Sequence, residues 1–359
     1  MHWNNEAILR SNWSQAVLDL VNYLGADNIF VAVLESGGWD GSKAALQELD
    51  AELQQMSAPR SFIFDDVTHK NAIERTPAIG EEGWIWTPRG KKELRRIPYL
   101  AKLRNRVMEE MRTALSADAR PFTKVLWLND VVFTVWTSDA LTLLSTNGGD
   151  YAAVCSLDFA KPPAYYDTFA LRDAMGRKTL TQTWPYFASS AMCNAVASSS
   201  GIVRVQSCWN GMVVMDAAPF TAAEQPLKFR GIPDQLAALH LEGSECCLVH
   251  ADNPLNSSKG VWLNANVRTA YGAAAYDIVN SAPRRVWPSP TERIMGMWRN
   301  RLARLFSGIR AFVEDWVVWR RVQSWMAEEP AAGMLNEEAG VHCLIDEMQV
   351  LVENGWKHV

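Results

Sequence analysis

Two apolar runs in the middle of the chain each deliver a carboxylate at their far end. Val125-Leu-Trp-Leu-Asn-Asp-Val-Val-Phe133 carries Asn129-Asp130, and Asp150-Tyr-Ala-Ala-Val-Cys-Ser-Leu-Asp-Phe159 carries Asp158. Short runs with no polar alternation read as strands covered on both faces, the habit of parallel sheets. Open α/β sheets bind ligands beyond the carboxyl ends of such strands. One acid there with a second nearby suits a divalent cation that carries a diphosphate. The runs therefore point to an enzyme working on a nucleotide-linked substrate.

The flanking pattern supports an α/β unit. Residues 6–24 are spaced as a helix, and Asn28–Leu34 reads as a buried strand running into the turn-rich loop Glu35-Ser-Gly-Gly-Trp-Asp-Gly-Ser42. A helix over Lys43–Leu53 and a strand over Ser61–Phe64 complete the opening of a nucleotide-binding fold. Residues 68–96 read as an excursion, Tyr99–Leu115 and Ser138–Leu144 as helices, and 160–201 as irregular. Short strands are expected at Val203–Gln206, Gly211–Met215 and Cys246–His250, and Asn264–Arg268 ends the patterned region.

At 359 residues, with 48% apolar and 21% charged side chains, the chain has the composition of a globular protein. Its net charge of −5 argues against nucleic-acid binding through a general basic field. The sixteen Trp either fill a large core or stack flat ligands such as sugars. No CxxC pair occurs among the six Cys, so zinc-ribbon and thioredoxin readings fail. A disulfide from Cys155 or Cys193 to Cys208 and buried free thiols both stay open. Met1–Glu6 is too polar for a signal peptide, and no run of eighteen uncharged apolar residues is present, so the chain reads as soluble or at most peripheral. Composition shifts near Pro283, dividing a catalytic domain at 1–283 from a helical extension at 284–359. Arg284–Met326 holds nine Arg against three acids, interleaved with Trp287, Trp298, Phe306, Phe312, Trp316, Trp319 and Trp325. That stretch either lies on an anionic membrane surface or packs its aromatic face on the core.

The residues that carry chemistry follow from this layout. Glycines 37 and 38 let the loop at Glu35-Ser36 approach a nucleotide, although the chain lacks the P-loop Lys and the spaced glycines of a dinucleotide fingerprint. Arg104-Asn105 near a helix start is placed to clamp phosphates. Asn129-Asp130 is the metal candidate, with His250 as a further ligand. Asp167, Arg172 and Asp173 sit among aromatics, an arrangement that grips sugar hydroxyls. Trp209-Asn210 offers a stacking ring beside a turn, and Glu245 and Asp252 bracket an apolar run, Glu245 placed to meet the sugar or to activate an acceptor hydroxyl.

Taken together, Val33–Asp40, Leu103–Asn105, Leu126–Phe133, Tyr151–Phe159, Tyr166–Asp173, Ser207–Met212, Phe229–Asp234, Ser244–Asp252 and Asn266–Arg268 resemble, in order, the fungal capsule-associated α-1,3-mannosyltransferases of the cryptococcal mannosyltransferase type (glycosyltransferase family 69). The resemblance implies a GT-A-like nucleotide-diphospho-sugar transferase fold with a mixed central sheet flanked by helices. It also implies GDP-mannose as donor, a glycan mannose hydroxyl as acceptor, retention at the transferred sugar, and Mn²⁺ or Mg²⁺. Asp130 matches the metal-binding position, while Leu128 stands where the usual acid–x–acid signature has its first acid. Catalytic roles fall by position on Asp158, Asp173, Glu245 and Asp252. Family members usually face the Golgi lumen behind an N-terminal span; here either that anchor was lost or left out of the sequence, or the basic aromatic stretch 284–326 substitutes for it. Another nucleotide-sugar donor, or a non-catalytic scaffold of polysaccharide synthesis, are the rival readings.

Overall fold

The apolar runs do form strands, and the directions of those strands explain why the acids converge. The computed structural model describes residues 1–117, 121–135, 139–280, 287–328 and 336–359. Pro283 and Arg284 at the expected boundary, Ser138 at an expected helix start and the side chain of Phe312 lie outside the described residues.

Helix α1 (Ser14–Leu24) leads to strand β1 (Val31–Ser36), helix α2 (Ser42–Gln55) and strand β2 (Arg60–Asp65). The two strands pair in parallel from Val31 opposite Arg60 to Ser36 opposite Asp65. Helix α2 buries Leu46, Leu49 and Leu53, the three- and four-residue spacing of one helical face. Helix α3 (Arg96–Ala117) then crosses to the main sheet.

That sheet contains β3 (Lys124–Leu128), β4 (Ala153–Lys161), β5 (Ile202–Val205), β6 (Met212–Asp216) and β7 (Val261–Ala270), in the order β3-β6-β4-β7-β5. Strand β6 is antiparallel to both β3 and β4, β4 is parallel to β7, and β5 is antiparallel to β7. The ends of β3, β4 and β7 therefore meet the start of β6 along one edge. Asp130, Asp158, Tyr271 and Asn210 all fall there. Strand β4 runs to Lys161, so Asp158 lies within the strand and not at its end. Its pairing with β6 stops at Cys155 opposite Val213, and past that point Asn210-Gly211 runs alongside instead.

Two expectations are corrected. Cys246–His250 is no strand but part of helix α4 (Glu245–Ala251), whose Ser244 cap accepts from the Cys246 amide. Residues 245–250 are all buried, and a helix enclosed on every side shows the same unbroken apolar run as a strand. Strand β7, the longest, escaped notice because Asn264, Asn266 and Arg268 interrupt its apolar pattern. Asn264 and Asn266 lie in a register shift where pairing to β4 is broken, and Arg268 resumes it opposite Leu157.

The C-terminal part is built into the body. Helix α5 (Pro290–Met326) packs Val318, Val322 and Trp325 against Leu236, Leu241 and Leu248. Leu344–Ile345 pairs antiparallel with Glu242–Gly243, and Gln349–Val352 forms a hairpin with Gly355–His358. Disulfides join Cys155 to Cys208 and Cys247 to Cys343, while Cys193 and Cys246 are free thiols. The bridges close loops of 53 and 96 residues. Loop closure of that order stabilises a fold by about 2–4 kcal/mol per bridge. Removing Cys155–Cys208 with paired Ala substitutions should lower the unfolding free energy by about that amount. Denaturant unfolding of the variant checks it, and replacing Cys193 should leave the midpoint unchanged.

Candidate active site

Asp158 is fully buried and is held by three donors. Its Oδ1 accepts from Asn210 Nδ2 at 2.8 Å and from the Asp167 amide at 3.2 Å, and its Oδ2 accepts from the Tyr271 hydroxyl at 3.1 Å. Burial, and then the Asp167 charge, push its pKa up to about 7 against these bonds. Gly211 makes the close packing feasible: a Cβ there would stand 2.0 Å from Thr269 Oγ1, and its φ of +81° favours glycine. Asp167 is recessed yet solvent-accessible; its Oδ1 accepts from the Phe169 and Ala170 amides, and burial raises its pKa as well.

Asp130 lies on the same edge, within electrostatic reach of Tyr271 together with Asp158 and Asp167. Its Oδ2 accepts from Asn5 Nδ2 at 2.9 Å, and burial raises its pKa. Asn5 is itself fixed, because its amide donates to Ser42 Oγ at the start of α2. Asn129 orients the turn: its carbonyl accepts from Trp13 Nε1 and its Oδ1 from Trp209 Nε1.

Arg104 supplies the positive charge. It is 9% exposed, stacks over Trp209 at 4.7 Å, Trp127 at 5.6 Å and Phe229 at 5.7 Å, and donates through Nε to Glu245 Oε1 at 3.0 Å. Its two terminal nitrogens make no hydrogen bond among the described residues. Glu245, the first residue of α4, thus aims the guanidinium and does not itself face a sugar. Trp209 is 2% exposed with its ring under Arg104, so it is a support for the arginine and not an open stacking platform. The ring open to solvent is Tyr166, 57% exposed and 4.7 Å from Tyr271.

Other expected residues are engaged elsewhere. Asn105 exchanges two hydrogen bonds with the Phe229 backbone, at 2.7 and 2.9 Å. Glu35 accepts from the Gly37 and Gly38 amides and closes its own turn, while Ser36 donates to the His2 carbonyl and ties the loop to the first residues. Asp173 closes its own turn by accepting from the Met175 and Arg177 amides. Asp252 is ion-paired with Arg230, which also holds Glu338. His250 does not join Asp130: its Nε2 donates to the Cys208 carbonyl and its ring lies against the Cys155–Cys208 disulfide. Sequence reasoning passed over Asn5 and Tyr271, which carry no motif, and preferred Asp173 to its neighbour Asp167.

The donor set fits a hard divalent cation. Glu245 and Asp167 lie within reach of the Arg104 guanidinium, and Asp130, Asp158 and Asp167 have raised pKa values chiefly because burial disfavours their charged forms. Among the described residues these oxygens do not form a three-ligand cluster within 4.8 Å. Asp130 would thus supply a carboxylate to an ion completed by substrate phosphate and water, the habit of Mg²⁺. A cleft of about 920 Å³ lies apart from these acids, between α3 and residues 229–235, and shares the wall of Phe229 and Asn105 with the site.

Strand ends, buried acids and an aromatic-backed arginine define a mixed α/β protein with an acidic cluster at one edge of its central sheet. The family model for cryptococcal mannosyltransferase 1 matches residues 1–252, and the chain belongs to that family, one of mannosyltransferases by its name. No curated protein and no solved structure matches the chain.

Because Asp158 binds its proton more tightly folded than unfolded, its contribution to stability is present below the ordinary carboxylate pKa. It is lost as pH rises to about 7. In chelator-containing buffer the stability difference between wild type and Asp158→Asn should shift against wild type across that window. Denaturant unfolding at stepped pH tests this, and parallel curves for the two proteins would contradict it.

Proposed function

We propose that the chain transfers mannose, with retention, from GDP-mannose to a mannose hydroxyl of a glycan, forming an α-1,3 linkage, on a GT-A-like fold and with Mn²⁺ or Mg²⁺. The observation that carries this reading is that Asp130, Asp158 and Asp167 all lie within electrostatic reach of Tyr271 at one sheet edge, with Arg104 within reach of Asp167, in a chain of a mannosyltransferase family. The donor's departing diphosphate gains negative charge as the glycosidic bond breaks. Arg104, pre-stacked on three rings, presents its free terminal nitrogens to that charge at little reorganisation cost. Asp130 holds the cation, which when bound neutralises the leaving group. Asp167, recessed but accessible, faces the positive charge that develops on the sugar ring. Asp158 fixes Asp167 through its amide and keeps the Tyr271 hydroxyl in place. The Golgi lumen is the compartment in which two disulfides would form.

Release of GDP from GDP-mannose by the purified chain, with and without Mn²⁺ and beside UDP-sugars, tests the proposal. Release should require the metal and the guanosine donor. Asp130→Asn should lower turnover by about a hundredfold or more with the thermal midpoint kept. Asp252→Asn should lower the midpoint while the remaining folded protein keeps its turnover. No measurable turnover in wild type, with binding partners kept by Asp130→Asn, would replace this reading with a scaffold.

A further inference from the structure

The function proposed above makes no use of helix α5, whose outward side is the most apolar exposed surface described. The helix has 37 residues and so spans about 55 Å. One stripe fastens it to the body: Gly296 meets the Trp184 carbonyl, Asn300 donates to the Phe187 carbonyl, and Val318, Val322 and Trp325 enter the core. These positions repeat every three or four residues, so the opposite pole of the helix points away from the protein. That pole carries Ile294, Trp298, Leu305 and Trp316, from 47% to 76% exposed. Eleven of the twenty exposed large hydrophobic side chains among the described residues lie on this helix, too many for chance scatter.

Charge decides what would cover it. The helix holds seven Arg against three acids, in a chain whose net charge is −5. Arg301 lies over Trp298 at 5.3 Å and Arg320 over Trp316 at 5.4 Å, pairing cations with rings beside the pole. Of the acids, Glu314 is bound by Lys178 from the body and Glu292 caps the helix start. A second copy laid on this face would oppose arginine to arginine. An anionic lipid surface takes both features at once, apolar rings below the headgroups and guanidinium groups among them. Among the described residues no helix is long and apolar enough to cross a membrane, so the contact lies in the plane of the surface.

We propose that α5 docks the protein on anionic membranes, its Ile294–Trp298–Leu305–Trp316 pole entering the interface and Arg301 and Arg320 binding lipid headgroups.

Co-sedimentation of the full chain with phosphatidylserine-containing and pure phosphatidylcholine vesicles tests this. Wild type should prefer the anionic vesicles by about tenfold or more, with the preference falling as salt rises. The triple variant Trp298→Ser, Leu305→Ser, Trp316→Ser should lose binding to both. The double variant Arg301→Glu, Arg320→Glu should lose the anionic preference. Thermal unfolding of both variants should match wild type, since the altered side chains point away from the core. Equal vesicle binding by wild type and the triple variant would overturn the proposal. So would wild-type self-association that the triple variant abolishes in the absence of vesicle binding, which would assign the face to a second copy.

Discussion

A carboxylate enclosed within a sheet is tolerated where donors replace the water it has lost, and in this chain that requirement falls on Asp158. The sheet meets it by ending β6 early. Asn210, Gly211 and Tyr271 then occupy the space beside β4, and the amide of Asp167 completes the shell. The same bonds that satisfy Asp158 bring Asp167 to it, so one buried acid draws a second into place. Arg104 answers only part of the resulting negative charge, because its Nε is committed to Glu245. Burial holds the Asp130, Asp158 and Asp167 carboxyls above their usual range, so positive charge brought to this edge would favour their ionised forms.

Around this core the chain is stitched from sequence-distant pieces, and this is why several motif residues do not face the ligand. The Glu35–Ser42 loop uses its polar groups to hold residues 2–6: Glu35 closes the glycine turn, and Asp40 accepts from the Glu6 amide. Asn5, carried by that segment, reaches Asp130. A loop that reads as a nucleotide cradle thus also acts at one remove, by fixing the residue that fixes the acid. Asn105 does the same for Phe229, on which Arg104 rests.

Much of this was legible because it depends on local pattern. The apolar runs announced β3 and β4 and the acids they deliver, and the spacing of Leu46, Leu49 and Leu53 announced α2. Arg104 was legible as a candidate phosphate clamp, and the structure places it within reach of Asp167 with its terminal nitrogens open. Pairing across the fold was not legible. Nothing near Tyr271 or Asn5 in the sequence says that either meets a carboxylate more than a hundred positions away. Helix α4 read as a strand because burial on all sides erases the periodicity that separates the two. His250 and Asp252 followed that error, since a helix turns them toward the disulfide and Arg230. Trp209 looked like a sugar platform because the sequence does not show which ring face another residue has already taken.

The bridge from Cys247 to Cys343 has a consequence for how the molecule is made. Cys247 directly follows Glu245-Cys246, the residues beside Arg104, and its partner lies 96 positions further on. A ribosome adds that interval in about 5–20 seconds. Through that time the helix carrying Glu245 has its neighbours but lacks its covalent tie, and Cys246 stands next to Cys247 as a second thiol able to take the bond. This sheet edge is therefore assembled from residues synthesised early and locked by one synthesised late, so an oxidising folding environment must favour the distant partner over the adjacent one.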